Sequence, residues 1–254
     1  MQVITIANQK GGAGKTTTAA ALWWYLNDHG KPTLGIDLDA QGNFSYCTGA
    51  DADQEPTIYE VLQGEDINKA IQTTAGGHVI PSTYGLNSAD IALTGKGKAT
   101  RLKKAIAGLA QHYDYVIVDT EPHLGILSIN ALTASDRVII PTQADVFSLQ
   151  GIKQLWQNIR DVKKAGLNPS LSVDGLLLTR YNKRALLSQE VKELLATTAK
   201  KMGTRLYKTA IRENISVKES QLSKASIFKA TPKSNAATDY ESFILEFLQD
   251  NSNT

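Results

Sequence analysis

Cysteine is nearly absent from this 254-residue sequence. Cys47 stands alone, so no disulfide can form within the chain, and a thiolate-ligated cluster would need a second chain. Long apolar runs are missing too. None approaches the ~20 residues of a membrane-spanning helix. The sequence opens on the apolar, strand-like Met1-Gln-Val-Ile-Thr-Ile6, so no signal peptide is expected. These absences lead us to expect a cytoplasmic protein. No internal repeat, interdomain linker or low-complexity tract is visible, so one domain over residues 1–254 is expected. The 42% of hydrophobic residues is enough for its core. Net charge is also small, at +2, but it is unevenly placed. Residues 1–150 hold 10 Lys and Arg against 15 Asp and Glu, and residues 151–254 hold 17 against 10. Within 180–233 the count is 13 against 4. Such a block is either a solvated face or a surface for a polyanion.

One glycine is missing where an ordinary phosphate-binding loop has it. The pattern G-x-x-x-x-G-K-[ST] ends here at Gly14-Lys-Thr16, but position 9 is Gln9. What is present is Lys10-Gly-Gly-Ala-Gly-Lys-Thr-Thr17, between an apolar run, Val3–Ala7, and a stretch of helical character, Thr18–Leu26. Strand, Gly-rich loop, helix is the order such a loop requires. Backbone N–H groups of Gly11, Gly12, Ala13 and Gly14 can turn toward phosphate oxygens, and the helix start adds its positive dipole end. Lys15 can reach the terminal phosphates, and the Thr16 hydroxyl can bind Mg²⁺. Lys10 adds a second positive charge.

Two further apolar runs end in acids. Thr33-Leu-Gly-Ile-Asp37 continues into Leu38-Asp39-Ala-Gln-Gly-Asn43. Carboxylates at i and i+2 on an extended strand end point the same way. At the C-terminal end of a parallel strand they would face the ligand crevice. One could orient a water and the other hold a metal's water shell. Asp114-Tyr-Val-Ile-Val-Asp119 reads as a strand buried on both faces, with Asp119 acting on Mg²⁺.

In this order these motifs resemble the ParA/MinD family of ATPases, which carries the deviant K-G-G-x-G-K-T-T loop. The likeness runs from Val3 to about Leu248. It includes D-x-D-P-Q-G-N (here with Ala40), the switch segment D-T-P-P-S-L-G, and a partition-type R-E-N segment at Arg212-Glu-Asn214. Glu121 replaces a proline in the switch and His123 a small polar residue. The resemblance implies an α/β P-loop NTPase fold, a mostly parallel twisted sheet with helices on both faces. It implies ATP and Mg²⁺ as cofactors, with Thr16, Asp39 and Asp119 toward the metal and Asp39 positioning the hydrolytic water. It implies that Lys10 reaches across a homodimer formed on ATP, and that Thr179, Arg180 and Asn182 are candidate adenine contacts. Non-specific DNA contacts fall on Arg212 and Lys218, and Lys224 extends the basic stretch. A ParB-like adaptor is the expected stimulator of a slow ATPase on the nucleoid. Because the sequence opens at its loop strand, the helix-turn-helix extension of some members is not expected.

The alternative is a MinD-like membrane-associated ATPase, which needs a basic amphipathic C-terminal helix. The expected last helix, Asp239–Gln249, carries acids, and no Lys or Arg follows Lys233. Other helices are expected at Thr57–Gln63, Ala99–Gln111, Phe147–Ala165 and Ser188–Lys201. Strands are expected at His78–Pro81, Arg137–Pro141, Leu171–Thr179 and Arg205–Ile211.

Overall fold

The computed structural model describes residues 1–183 and 186–251. Eight strands make one sheet: β1 (Gln2–Ile6), β2 (Thr33–Leu38), β3 (Gln72–Thr74), β4 (Gly77–Ile80), β5 (Tyr115–Thr120), β6 (Arg137–Gln143), β7 (Ser172–Tyr181) and β8 (Arg205–Arg212). Their spatial order is β3-β4-β2-β5-β1-β6-β7-β8. All pairings are parallel except β3 with β4. The helices are α1 (Lys15–Asp28), α2 (Asn43–Thr48), α3 (Ile58–Gln63), α4 (Ala89–Ala92), α5 (Arg101–Ala107), α6 (Ile126–Ala134), α7 (Val146–Lys164), α8 (Leu186–Lys201), α9 (Ser216–Leu222), α10 (Ile227–Ala230) and α11 (Asn235–Asn251).

Alternation along each strand divides the core between the two sheet faces. Ile4, Ile6, Ile117, Ile139 and Leu177 pack with α1 and α11. Val3, Ile36, Val116 and Val118 face α3, α5 and α6, while Val138, Ile140, Leu176 and Leu178 face α7 and α8. With both faces covered, the inner strands have no polar alternation to show, which is why they read as apolar runs. Gly35 has a packing reason. A Cβ there would meet the Phe44 ring at 2.6 Å, so the glycine lets α2 lie against β2.

Thr57 caps α3, through a capping box with Glu60. The expected Ala99–Gln111 helix is shorter, because α5 stops at Ala107 with Gly108 as its C-cap. The C-terminal helix starts earlier than expected, at Asn235, where the Ser234 hydroxyl accepts the Ala237 N–H at 3.1 Å. Arg184 and residues 252–254 lie outside the described residues.

Parallel strands end together, so the ends of β1, β2, β5, β6 and β7 share one edge of the sheet. The order reverses direction at β1, between β5 and β6. The crevice above that point is where open α/β sheets hold ligands.

Candidate functional site

The loop 10–17 sits in that crevice. Gly12 and Gly14 have φ of 72° and 88°, a left-handed backbone that glycine adopts without strain. Gly14 is the N-cap of α1. No side chain caps the helix and its first turn carries no acid, so its N–H groups are directed at the crevice. An open cleft of about 680 Å³ results, lined by Gly11, Gly12 and Gly14 to Thr17. Asp39, Gln41 and Asn43 close it beyond β2, with Tyr46 and Cys47 from α2. Pro122 follows β5, and Lys218, Gln221 and Leu222 come from α9.

Lys15 is buried, and its Nζ lies 3.5 Å from the Lys10 carbonyl. Burial pulls its pKa below the ordinary lysine value, against the upward effect of Asp119, Asp39 and Glu121. Asp119, at the end of β5, is fully buried, and among the described residues the Thr16 hydroxyl is the near polar neighbour of a carboxylate that lacks any well-formed hydrogen bond. Burial first, then the Asp37 charge, raises its pKa well above the usual carboxylate range. The adjacent Thr16 hydroxyl and Lys15 oppose that rise without completing the carboxylate's shell. An under-satisfied buried carboxylate beside a threonine hydroxyl and a phosphate loop is a fitting donor set for a hard divalent cation.

Asp37 and Asp39 do not act as a pair, which corrects the expectation from their spacing. Asp37 is fully buried and turned to the start of α2. It accepts from Ser45 N at 2.8 Å, Ser45 Oγ at 2.7 Å and Asp39 N at 3.0 Å. Burial pushes its pKa up to about 6 even against these bonds. Asp39 alone lines the cleft, with one oxygen accepting the Gln41 N–H at 3.0 Å. The chain leaves the strand at Leu38, so strand alternation no longer governs residue 39.

The other site residues fall in three places. Lys10 and Ala13 are not on the cleft wall. Ala13 is buried, and Lys10 is ion-paired with Asp145, with Gln143 and Ser148 alongside. Thr179 lies beneath the loop, where its hydroxyl donates to Ala13 O at 2.8 Å and Thr142 O at 3.1 Å. Arg180 pairs with Glu213 at the surface, and Asn182 is exposed after β7. Arg212 makes a two-pronged ion pair with Asp239, at 2.9 and 2.7 Å. Lys218 is on the cleft wall, and Lys224 lies 4.6 Å over the Tyr46 ring.

Sequence reasoning missed Ser45, Gln143, Asp145, Ser148, Gln221 and Asp239. Asp145 and Ser148 do carry a local sign, an N-cap spacing at the head of α7. Nothing local ties them to Lys10. Gln221 Nε2 reaches the Thr17 hydroxyl at 3.3 Å, so α9 touches the loop itself.

A family model described as an AAA domain matches residues 1–173. The sporulation initiation inhibitor protein Soj of Bacillus subtilis is 40% identical over 94% of this chain and 95% of its own. The chromosome-partitioning ATPase Soj of Thermus thermophilus is 37% identical, over 96% and 94%. The chain belongs to the ParA/MinD family of P-loop ATPases. Solved structures agree with a ParA/MinD fold. A putative plasmid partition protein of Borrelia burgdorferi bound to AMPPNP has a TM-score of 0.82 at 27% identity, covering 98% of this chain and 99% of that one. The cobyrinic acid a,c-diamide synthase of Mycobacterium smegmatis, with an ATP analogue and magnesium, has a TM-score of 0.81 at 32% identity, covering 99% and 96%.

Proposed function

We propose that this chain is a DNA-partition ATPase. It binds ATP with Mg²⁺, pairs with a second copy, grips DNA without sequence preference and lets go on hydrolysis. The observation that carries this reading is the position of α9. This helix lies in the basic half of the chain, and it both walls the nucleotide cleft and bonds the loop through Gln221 and Thr17. The cleft and Lys218, one of the proposed DNA contacts, therefore share one element. The partitioning role named for its relatives supports the same reading.

The loop N–H groups and the start of α1 hold the phosphates, with the Lys15 ammonium against the outermost ones. Thr16 and Asp119 would hold a magnesium ion, with Asp39 as the further acid on the cleft wall. When bound, the ion neutralises charge on the outer phosphates. Asp39 orients the water that attacks the terminal phosphorus. Lys10 serves the partner copy's nucleotide. Arg180 and Asn182 are the candidates for the adenine, while Thr179 acts through the loop. Arg212, Lys218 and Lys224 are the proposed DNA contacts. A ParB-like adaptor stimulates a slow turnover, in the cytoplasm and on the nucleoid.

The membrane-bound alternative finds no support in α11. Its apolar residues Phe243, Ile244 and Phe247 are fully buried in the core, so that stripe is not available to a bilayer, and Leu245 is left as a single exposed apolar residue. Among the described residues no helix is long and apolar enough to cross a membrane.

DNA retention by the purified chain with ATP, with ADP and without nucleotide tests the reading. ATP-dependent retention that falls steeply with salt and ignores sequence is expected. Equal retention in all three states would refute it, as would ATP-dependent flotation with liposomes.

A further inference from the structure

The loop has two lysines, and in the single chain one is turned away from the cleft into a seat of its own. Lys10 Nζ is ion-paired with Asp145, while Gln143 Oε1 and Ser148 Oγ are each 3.4 Å away. The seat is built from both sides. Asp145 caps α7, accepting the Ser148 N–H at 3.0 Å on one oxygen and the Ser148 hydroxyl at 3.0 Å on the other. Gln143, at the end of β6, donates to Gly12 O at 2.6 Å and so ties the same corner to the loop. The Lys10 N–H bonds Asn8 Oδ1 at 3.0 Å, and Asn8 in turn donates to Pro141 O at 2.6 Å. Burial would raise the Asp145 pKa, but its bonds to Lys10 and Ser148 outweigh that and hold it below the usual carboxylate value. The acid is therefore charged at neutral pH and set to compete for the lysine.

One ammonium cannot serve Asp145 and a triphosphate held by another copy together. We infer that Asp145, braced by Gln143 and Ser148, is the seat that keeps Lys10 within its own chain, and that leaving it opposes pairing of two copies. This rests on the nucleotide-bridged dimer proposed above. Asp145 is thus a positioning residue, acting through Lys10. Each dimer empties two seats, so a roughly 3-fold bias per seat becomes about 10-fold in the dimer constant.

The test is sedimentation over a protein concentration series with AMPPNP and Mg²⁺. Wild type is compared with Asp145→Asn, Ser148→Ala and Asp28→Asn. The last removes the Asp28–Lys229 pair elsewhere on the surface. Asp145→Asn should pair at about 10-fold lower concentration, Ser148→Ala should shift the same way by less, and Asp28→Asn should match wild type. Reductive methylation of Lys10 in the nucleotide-free chain, read by mass spectrometry, should run faster in Asp145→Asn. A merely structural role would weaken pairing and leave Lys10 labelling unchanged. A wild type that pairs while Asp145→Asn and Ser148→Ala gain nothing overturns the inference alone. A wild type that stays single with AMPPNP overturns the dimer reading, and the inference with it.

Discussion

At Asp119 the free chain bears a cost that a bound cation would relieve. A buried acceptor without a partner costs about 1–3 kcal/mol, and more when it is charged. Both oxygens of this carboxylate are in that condition, with Asp37 opposite it across the β2–β5 pairing. Lys15 and Thr16 are near enough to moderate the charge, but burial and the Asp37 carboxylate outweigh them. Asp37, by contrast, is satisfied three times over by Ser45 and Asp39 N, so the two acids divide into a structural anchor and an under-satisfied group. Replacing Asp119 with Asn should therefore act on the metal and not mainly on the fold. In calorimetric titrations with ATP, wild type should bind at least ~10-fold tighter with Mg²⁺ than with excess EDTA. The two titrations of Asp119→Asn should coincide within about 3-fold. A variant that keeps the full magnesium dependence would take Asp119 out of the metal site.

The same contrast between satisfied and unsatisfied groups governs the β8–α11 pair. β8 slips against β7: Leu176 pairs with Leu206, but Leu178 pairs with Ala210. The backbone between is drawn off the ladder, and the Glu246 carboxylate accepts the Lys208 and Thr209 N–H groups at 2.8 and 3.1 Å. Two turns earlier on the helix, Asp239 accepts the Arg212 N–H at 2.9 Å. The acids that argued against a membrane helix thus cap an edge strand. Glu246→Ala should cost about 1–3 kcal/mol in urea unfolding, and Glu246→Gln, which keeps one acceptor, less. Equal losses would mean that packing, not the two N–H groups, sets the effect. None of this was visible in the sequence. β1, β2, β5 and β6 were legible because strands covered on both faces read as unbroken apolar runs. The loop was legible because its glycines and lysines are contiguous. β3 spans only Gln72–Thr74, too short for alternation to show. Lys10 and Asp145 lie 135 positions apart, and a contact at that range leaves no periodic trace. Asp37 was misassigned because spacing gives a direction for a side chain but not the helix start waiting to receive it.

Over the whole molecule, the acidic first half supplies the cleft's carboxylates and the basic second half folds back to wall it. The formal charge of 180–233 overstates what a polyanion meets. Arg180, Arg205, Arg212 and Lys229 are each paired with an acid, and Lys224 lies over Tyr46. Arg212 must exchange Asp239 for a phosphate before it contributes, so its removal would disturb β8 as well as DNA binding. Lys218 is the cleaner probe, because it is exposed on α9 beside the cleft. A lysine contacting phosphate adds close to one unit to the slope of log K against log salt. With the ATP analogue and Mg²⁺ saturating, Lys218→Ala should lower that slope by about one unit per protomer, and equally on DNA of unrelated sequences. An unchanged slope would remove Lys218 from the DNA face. A loss confined to one sequence would mean that α9 reads bases, and the grip on DNA would then not be the sequence-blind one proposed.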